Sequence, residues 1–396
     1  MSLAASPALP HRGAAAWSPL SWLIALCLIL SLTPGCRPDD DDGDEVDGGD
    51  AEEESVDPIP KRPGTLVVDG CSLDSGQQAT LRSAEARQVV SEVVLVCLSL
   101  TSRGGVSLRQ AQSDSGLKGL LGELRGLGYA VHLGITAVDE DDDEQSADEL
   151  SRWLKQGLWR QGTVRALAPY ASDSDGLQVM LPELEDQARA DLTSWISALS
   201  ARVRPQRRLD LFVPPSLRQP SDIAGGEAYD LAALVSKVDR VRVLTLDAAS
   251  GEAPGPTLDA EWTRQAASFA AMTTGTGKLD VAVPLYGINF RMQTTPTRQI
   301  AEETHVSFAE AKALAVMYGV TPQGGDGEAL HFSYKDASGD EHEVWYEDSA
   351  SILQGLRELP LTSLPQSVGV VYFSLGGEDP DVFADLAEAM ADMPAS

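Results

Sequence analysis

The chain has 396 residues, with 60 acidic and 30 basic side chains, so its formal net charge at neutral pH is −30. A nucleic-acid-binding domain needs a basic surface that neutralises phosphates, so this composition argues against nucleic acid as a partner. It argues equally against loose electrostatic adsorption to anionic wall polymers. The length suits terminal targeting segments followed by one large domain.

The first 36 residues have the features of a lipoprotein signal peptide. His11 and Arg12 precede the apolar run Trp22–Leu32, which is too short to span a bilayer comfortably. The sequence Leu32-Thr33-Pro34-Gly35-Cys36 follows and resembles a bacterial lipobox. We therefore expect residues 1–36 to be a signal peptide with a lipid at Cys36. Ordinary signal cleavage and an uncleaved N-terminal anchor are the alternatives.

Residues 37–63 are expected to form an acidic, disordered tether. Between Asp39 and Glu54 there are eleven acidic residues and no basic one. Such a segment repels itself and cannot bury a core, so it should act as an extended spacer. Calcium binding is an alternative, but the segment lacks the spaced ligands and glycine of an EF-hand loop. With Cys36, the tether predicts an extracytoplasmic protein, lipid-anchored in a bacterial cell envelope, and Arg37 is compatible with an outer membrane.

Residues 64–396 alternate strand-like and helical patterns, which is typical of parallel βα units. Eight apolar runs are expected as strands, the number in a closed (β/α)8 TIM barrel: Thr65–Asp69, Val89–Leu100, Tyr129–Thr136, Gly176–Leu181, Leu209–Val213, Arg240–Asp247, Leu279–Leu285 and Val368–Ser374. Runs with apolar residues at helical spacing are expected as helices: Leu117–Leu127, Trp153–Leu167, Glu185–Val203, Trp262–Met272 and Asp381–Met390. The sequence thus predicts one α/β barrel.

The interval between the seventh strand and the last helix is too long for one βα unit. Within 291–347, the runs Ala329–Lys335 and Glu341–Tyr346 are joined by Ala337-Ser338-Gly339-Asp340, which predicts a hairpin. We expect a small α+β insertion beside the mouth of the barrel.

Cysteine and histidine spacing gives no sign of a metal site or a bound cofactor. Cys71 and Cys97 end two successive predicted strands, so a disulfide is expected in an oxidising compartment, with two buried thiols as an equal alternative. No Cys-x-x-Cys pair, zinc-type histidine spacing or glycine-rich phosphate loop occurs. We therefore expect neither a metal nor a cofactor.

The segment Asp175–Pro182 resembles the catalytic strand of family 18 glycoside hydrolases, D-G-x-[DN]-x-D-x-E. The Asp-Gly opening and the alternation of apolar residues are kept. Met180 stands where the motif has its last Asp, and Pro182 stands where it has its Glu. The chemistry of the motif is therefore altered while its frame remains.

Four later segments resemble, in order, further parts of that family, especially its spore and cell-wall hydrolase branch. They are Val243-Leu244-Thr245-Leu246-Asp247 for M-T-Y-D, Ala282-Val283-Pro284-Leu285-Tyr286-Gly287 for G-I-P-L-Y-G, His342-Glu343-Val344-Trp345-Tyr346-Glu347-Asp348, and Phe373-Ser374-Leu375-Gly376-Gly377-Glu378-Asp379 for W-R-L-G-G-E-D. The resemblance covers about residues 175–383. It implies the same barrel fold that the alternation of strands and helices predicts.

The resemblance also implies a substrate-assisted hydrolysis. In that reaction the substrate's N-acetyl oxygen attacks the anomeric carbon, the last Asp of the motif orients the amide, and the Glu protonates the leaving oxygen. Because side chains alternate along a strand, Gln178, Met180 and Pro182 are expected to share the inward face. A thioether and an imino ring cannot replace the two carboxyl groups. Glu183 and Glu185 are the nearby acids that remain as candidates for a displaced catalytic group.

Three residues are candidates for contacting a bound sugar, because barrel sites lie at the C-terminal ends of strands. They are Asp247, Tyr286 and Phe373, for which a structural hydrogen bond or core packing is the alternative. Trp345 is expected to pack inside the insertion rather than to line the mouth.

We expect a catalytically inactive barrel that binds an N-acetylglucosamine-containing glycan, such as peptidoglycan or chitin, or an envelope protein. An active hydrolase of peptidoglycan or chitin that uses Glu183 or Glu185 is one alternative. A purely structural lipoprotein is another.

Overall fold

The structure is a computed structural model that describes residues 59–111, 113–138, 145–181, 184–216, 228–249, 253–293, 299–359 and 367–391. The predicted signal peptide, the lipidation residue Cys36 and the tether up to residue 58 lie outside these residues and stay predictions. Within the described ranges, no helix combines the length and apolar character that a bilayer crossing requires. Ile59, inside the predicted tether, is already buried, and its backbone N–H bonds the carbonyl of Ala389 at 3.2 Å.

The strands of the described residues are, in chain order, β1 (Gly64–Val68), β2 (Glu92–Leu100), β3 (Val106–Leu108), β4 (Ala130–Thr136), β5 (Gly176–Val179), β6 (Arg208–Val213), β7 (Arg240–Val243), β8 (Leu279–Pro284), β9 (Gly287–Gln293), β10 (Gln299–Val306), β11 (Gln323–Gly325), β12 (Glu328–Lys335), β13 (Glu341–Tyr346) and β14 (Gly369–Phe373). The helices are α1 (Ser75–Arg82), α2 (Ala84–Val89), α3 (Asp114–Gly126), α4 (Ala147–Lys155), α5 (Gly157–Asp173), α6 (Arg189–Val203), α7 (Leu231–Leu234), α8 (Ala260–Thr274), α9 (Phe308–Tyr318), α10 (Ser349–Glu358) and α11 (Val382–Ala391).

Eight parallel strands close into a barrel. Their order is β1, β2, β4, β5, β6, β7, β8 and β14, and β1 pairs with both β2 and β14, which closes the sheet. Each strand is nearly or wholly buried, as expected when helices cover the outside of a parallel sheet. The predicted (β/α)8 fold is confirmed, and each predicted strand corresponds to one strand of the barrel.

The helices outside the barrel begin where the sequence supplies capping side chains. Ser113, Ser146 and Asp259 accept hydrogen bonds from the first turns of α3, α4 and α8, which satisfies backbone N–H groups that have no partner inside a helix. The single helix predicted over Trp153–Leu167 is wrong in one respect. The chain is extended at Gln156, so α4 and α5 are separate helices.

The predicted α+β insertion is confirmed and begins earlier than expected, at Gly287. It is a five-stranded antiparallel sheet in the order β10-β9-β13-β12-β11, and the hairpin β12–β13 forms as predicted. Helix α9 covers one face of this sheet, where Val344, Phe332 and Tyr346 are buried against it. Because side chains alternate along β9, Ile288 and Phe290 point to the other face. There they pack with Tyr286, at the end of β8.

Candidate functional site

The C-terminal ends of the barrel strands form a mouth whose floor is apolar. Met180, Leu244, Leu246 and Phe373 are partly buried and pack on the inward-facing side chains below them, which are Val67, Val94, Val96, Phe212, Ala282 and Val371. The rings of Phe373 and Phe212 meet edge to face, with centroids 6.3 Å apart. Met180 lies inside this floor, so its thioether occupies a position from which a carboxylate would face the mouth.

Asp175, which opens the motif, does not reach the mouth. It precedes β5, and its Oδ2 accepts hydrogen bonds from Arg125 Nε at 3.0 Å and from the backbone N–H of Val131 at 2.9 Å. Partial burial raises the pKa of Asp175, but these hydrogen bonds and the Arg125 charge outweigh it and hold the pKa below its ordinary value. Asp175 therefore ties β4 and α3 to the start of β5 and has a structural role.

Gln178 faces the interior of the barrel and is completely buried. Its Nε2 donates to the carbonyl of Val179 at 3.1 Å, while its Oε1 has no hydrogen-bond partner among the described residues. A buried acceptor without a partner costs about 1–3 kcal/mol. The amide thus sits two residues below Met180, whose thioether is a weak acceptor and cannot donate a hydrogen bond to it.

Pro182 and Glu183 lie outside the described residues, so their roles stay predictions. Glu185 is partly buried and precedes a short 3₁₀ turn, Asp186–Ala188. Its backbone N–H donates to Ser151 Oγ at 3.1 Å, which anchors this position to α4 in the outer helical layer.

A polar group lies on one side of the mouth. Tyr286 donates its hydroxyl to the carboxylate of Asp247, with distances of 2.9 and 3.1 Å to the two oxygens. Burial and the nearby Asp247 carboxylate raise the pKa of Tyr286 well above its ordinary value, so the phenol stays protonated and can donate. Asp247 follows β7 in a left-handed conformation, with φ of 56°, and its side chain keeps 26% of its surface exposed.

His305, on the insertion strand β10, joins this pair and was missed by sequence reasoning. Its ring stacks on that of Tyr286 at 4.3 Å between centroids, and its Nε2 lies 3.6 Å from Asp247 Oδ2. It is largely exposed, so a ligand in the mouth can reach it. No sequence signal identifies His305, because only the folding of the insertion brings β10 to the barrel.

Phe373 and Trp345 connect the mouth to the insertion sheet. Phe373 packs both with the apolar floor and with the cluster that contains Tyr286 and Trp345. The Trp345 ring stacks on His331 at 4.2 Å, and its Nε1 donates to Glu343 at 2.9 Å. The structure thus brings Asp247, Tyr286 and Phe373 together. Trp345 packs within the insertion, as expected, and also lies against the cluster that contains Tyr286.

The closed end of the barrel, below the apolar residues, holds a layer of charged side chains, of which Glu92, Asp210, Asp280 and Arg242 are buried. Glu92, Asp210 and Asp280 carry the negative charges, and Arg208, Arg240 and Arg242 carry the positive ones. Arg242 is fully buried and bonds all three carboxylates. Sequence reasoning missed this layer, although charged residues at alternate positions of apolar strands, such as Arg208 and Asp210, were its signal.

Three residues of this layer are close enough to be considered as a cation site. Ligand atoms of Glu92, His132 and Asp210 all lie within 4.8 Å of one another. Both carboxylates, however, already pair with guanidinium groups: Arg208 reaches each of them at 2.8 Å, and Arg242 bonds both. A cation here would face two fixed positive charges, so we assign the group a structural role.

A cavity of about 410 Å³ lies outside the barrel, beside α6, α7 and α8. Its walls include Val213 and Val243, whose side chains point away from the barrel interior, together with Arg189 and Phe269. It is separate from the mouth, since none of the mouth residues described above lines it.

The two cysteines of the barrel are adjacent buried thiols in the structure, which is one of the two arrangements expected from the sequence. Cys71 Sγ donates to the carbonyl of Cys97 at 3.3 Å, and Cys97 Sγ donates to the carbonyl of Gly70 at 3.2 Å.

Comparison with known proteins finds curated relatives that are named as a glycosylase and a cortical fragment-lytic enzyme. No protein-family model matches the chain. Among curated proteins, an uncharacterized glycosylase of Bacillus subtilis, YvbX, is 23% identical over 207 residues, which is 51% of this chain and 58% of that protein. The cortical fragment-lytic enzyme of Bacillus subtilis is 28% identical over 158 residues, which is 38% of this chain and 34% of that enzyme. The matches thus span less than two thirds of either relative.

Solved structures share the fold at low identity. The spore cortex-lytic enzyme SleL of Bacillus cereus has a TM-score of 0.66 and 18% identity, with 84% of this chain and 75% of SleL covered. A chitinase of Chromobacterium violaceum has a TM-score of 0.66 and 20% identity, with 84% of this chain and all of the chitinase covered. The chain therefore resembles chitinases and cortex-lytic enzymes of glycoside hydrolase family 18 in fold, as its motifs indicate.

Proposed function

We propose that this chain is a glycan-binding protein of the bacterial envelope, built on a chitinase-like barrel that does not hydrolyse its ligand. The observation that carries the proposal is the mouth itself. Its floor consists of Met180, Leu244, Leu246 and Phe373, while Asp247 and Tyr286 keep a polar contact at its edge. A surface with an apolar floor and a polar edge suits a sugar ring, which has an apolar face and peripheral hydroxyls.

The proposal that the barrel does not hydrolyse rests on the two changed motif positions. Substrate-assisted hydrolysis needs one carboxyl group to orient the N-acetyl group and another to protonate the leaving oxygen. Loss of a general acid alone removes roughly 10²–10⁴ in rate. Here a thioether occupies the first position, and Pro182 replaces the second in sequence.

The ligand class that we propose is an N-acetylglucosamine-containing polymer, either peptidoglycan or a chitin-like glycan. The fold relatives named for chitin or spore cortex support this class. An envelope protein as partner is the alternative. The tether and the lipid at Cys36 would hold the barrel outside the cytoplasm, on a membrane surface. The outer membrane is one candidate for that membrane.

Two assays on the purified full chain test the proposal. We expect retention on insoluble peptidoglycan or chitin, together with no release of chromophore from a chromogenic N-acetylglucosamine oligomer. An active chitinase serves as the positive control for turnover. Turnover that is abolished by Glu183→Gln or Glu185→Gln would instead establish the displaced-carboxylate hydrolase. Neither binding nor turnover would leave a structural role or a protein partner.

A further inference from the structure

Cys71 and Cys97 meet at the mouth end of the barrel, on two neighbouring segments. Cys71 lies in the loop that joins β1 to α1, just after Gly70, whose φ is +124°. Cys97 lies in β2, where the pairing with β4 skips one residue between Val96 and Leu98. Cys97 is therefore the extra residue of a β-bulge.

Cys97 follows Val93 and Leu95 on the outward side of β2, where its thiol lies beside the segment that carries Cys71. In β2 the inward-facing residues Val94 and Val96 belong to the barrel interior, while Cys97 and Leu98 both belong to the core between barrel and helices. Each Sγ hydrogen-bonds a carbonyl on the segment of the other cysteine, at 3.3 and 3.2 Å. Both side chains are 0% exposed.

Other roles for this pair fit the structure poorly. A catalytic or sensor thiol needs access and a stabilised thiolate, whereas burial and the neighbouring Cys71 raise the pKa of the Cys97 thiol. A metal site needs further ligands. The described acids and histidines that cluster closely enough are Glu92, His132 and Asp210, at the opposite end of the barrel, and neither cysteine is among them.

We propose that Cys71 and Cys97 become joined in the mature protein by a disulfide that fastens the β1–α1 loop to the bulge of β2. The two thiols together lose two protons and two electrons as the S–S bond forms. A disulfide oxidant, such as oxidised glutathione or a thiol–disulfide oxidoreductase, takes up both and is reduced to two thiols. Because the folded thiols are buried, the bond forms during folding, before the loop closes over them.

This crosslink would constrain the unfolded chain. It would close a loop with a sequence separation of 26 residues that contains α1 and α2. In the loop-entropy description, such a bond raises the melting temperature of a domain of this size by about 5 °C. In the folded protein, the disulfide would restrict the loop at the mouth that carries Asp69. The carboxylate of Asp69 pairs with Arg109.

Alkylation followed by peptide mapping tests the proposal directly. The full chain is refolded from urea in buffers with increasing ratios of oxidised to reduced glutathione, then denatured and treated with iodoacetamide without reductant. We expect a linked peptide that contains Cys71 and Cys97, lighter by two hydrogens than the two thiol peptides. Full alkylation of both cysteines under the most oxidising buffer would overturn the proposal.

Melting curves give a second measurement that does not depend on chemical trapping. We expect a reductant to lower the melting temperature of the oxidised wild-type chain by about 5 °C. The double variant Cys71→Ser/Cys97→Ser keeps small side chains that can donate to the same carbonyls, and its melting temperature should not respond to reductant. An equal response of wild type and variant, or no response of either, would contradict the crosslink.

Discussion

At the scale of single residues, the polar edge of the mouth depends on the contacts that orient the carboxylate of Asp247. Both of its carboxylate oxygens accept from Tyr286, and the imidazole of His305 lies beside them. Hydrogen bonds to charged groups contribute about 1.5–3 kcal/mol, more than bonds between neutral groups. The phenol therefore fixes the direction of the carboxylate, and the carboxylate can offer a sugar hydroxyl its remaining lone pairs.

Tyr286→Phe tests this arrangement, given a glycan ligand. The ring stays in its packing while the donor is lost, so the carboxylate of Asp247 can rotate. We expect affinity for the bound glycan to fall about 10-fold or more, measured by isothermal titration with a soluble oligomer.

A matched control is Tyr318→Phe, which removes a hydroxyl from α9, on the side of the insertion sheet that faces away from the mouth. It should bind as the wild type does. Unchanged affinity in Tyr286→Phe would show that Asp247 and Tyr286 do not contact the ligand.

At the scale of elements, the position of the insertion depends on a close approach of two strands. A Cβ on Gly287 would meet the carbonyl oxygen of Trp345 and would lie 2.5 Å from the Cβ of Tyr346. Strand β9 thus pairs with β13 only if its first residue has no side chain. The same pairing carries Trp345 and Ile288 to the wall of the mouth.

Gly287→Ala should therefore destabilise the protein by about 2–3 kcal/mol through overpacking, measured as the free energy of unfolding in urea. Gly122→Ala is the control, because its Cβ would meet nothing within 4 Å on the exposed side of α3. That change should stabilise by about 0.5–1 kcal/mol, as expected for alanine in a helix. Equal effects of the two substitutions would refute the close approach.

Sequence patterns predict elements better than they predict partners across the barrel. Strands such as β2 and β8 are visible because long aliphatic runs are needed where both faces are buried. The break between α4 and α5 at Gln156 was not visible, because one extended residue leaves the helical periodicity intact. Arg242 and Asp280 show only as polar residues in apolar strands. Their pairing, like the approach of His305 to Tyr286, depends on which strands the closed sheet makes neighbours.

At the scale of the whole molecule, stability depends on pH through the charged layer at the closed end. Burial alone raises the pKa of Glu92, but the charges of Arg242, His132 and Arg208 outweigh it and lower the pKa from 4.5 to about 2. Because the folded value lies below the unfolded one, this group stabilises the fold fully above pH 4.5. The stabilisation is lost as the pH falls toward 2.

Glu92→Gln should therefore reduce the loss of stability between pH 5 and pH 2 by about 3 kcal/mol. It should also lower stability at pH 7 by about 3–5 kcal/mol, because it leaves Arg242 with a buried charge that is no longer fully balanced. Urea unfolding at several pH values measures both effects. Asp175→Asn, outside the layer, is the comparison and should change the acid dependence less. The same acid dependence in Glu92→Gln as in the wild type would contradict this role.

The balance of charges inside the closed end has a consequence for protein engineering. Glu92, Asp210 and Asp280 are matched in number by Arg208, Arg240 and Arg242, so this layer, with His132 counted as neutral, adds nothing to the surplus of −30. The surplus of negative charge resides in side chains elsewhere. Acidic residues on the outer surface can be replaced by the corresponding amides without disturbing the charged layer inside the barrel. Colloidal behaviour and folding free energy can thus be tuned as independent variables.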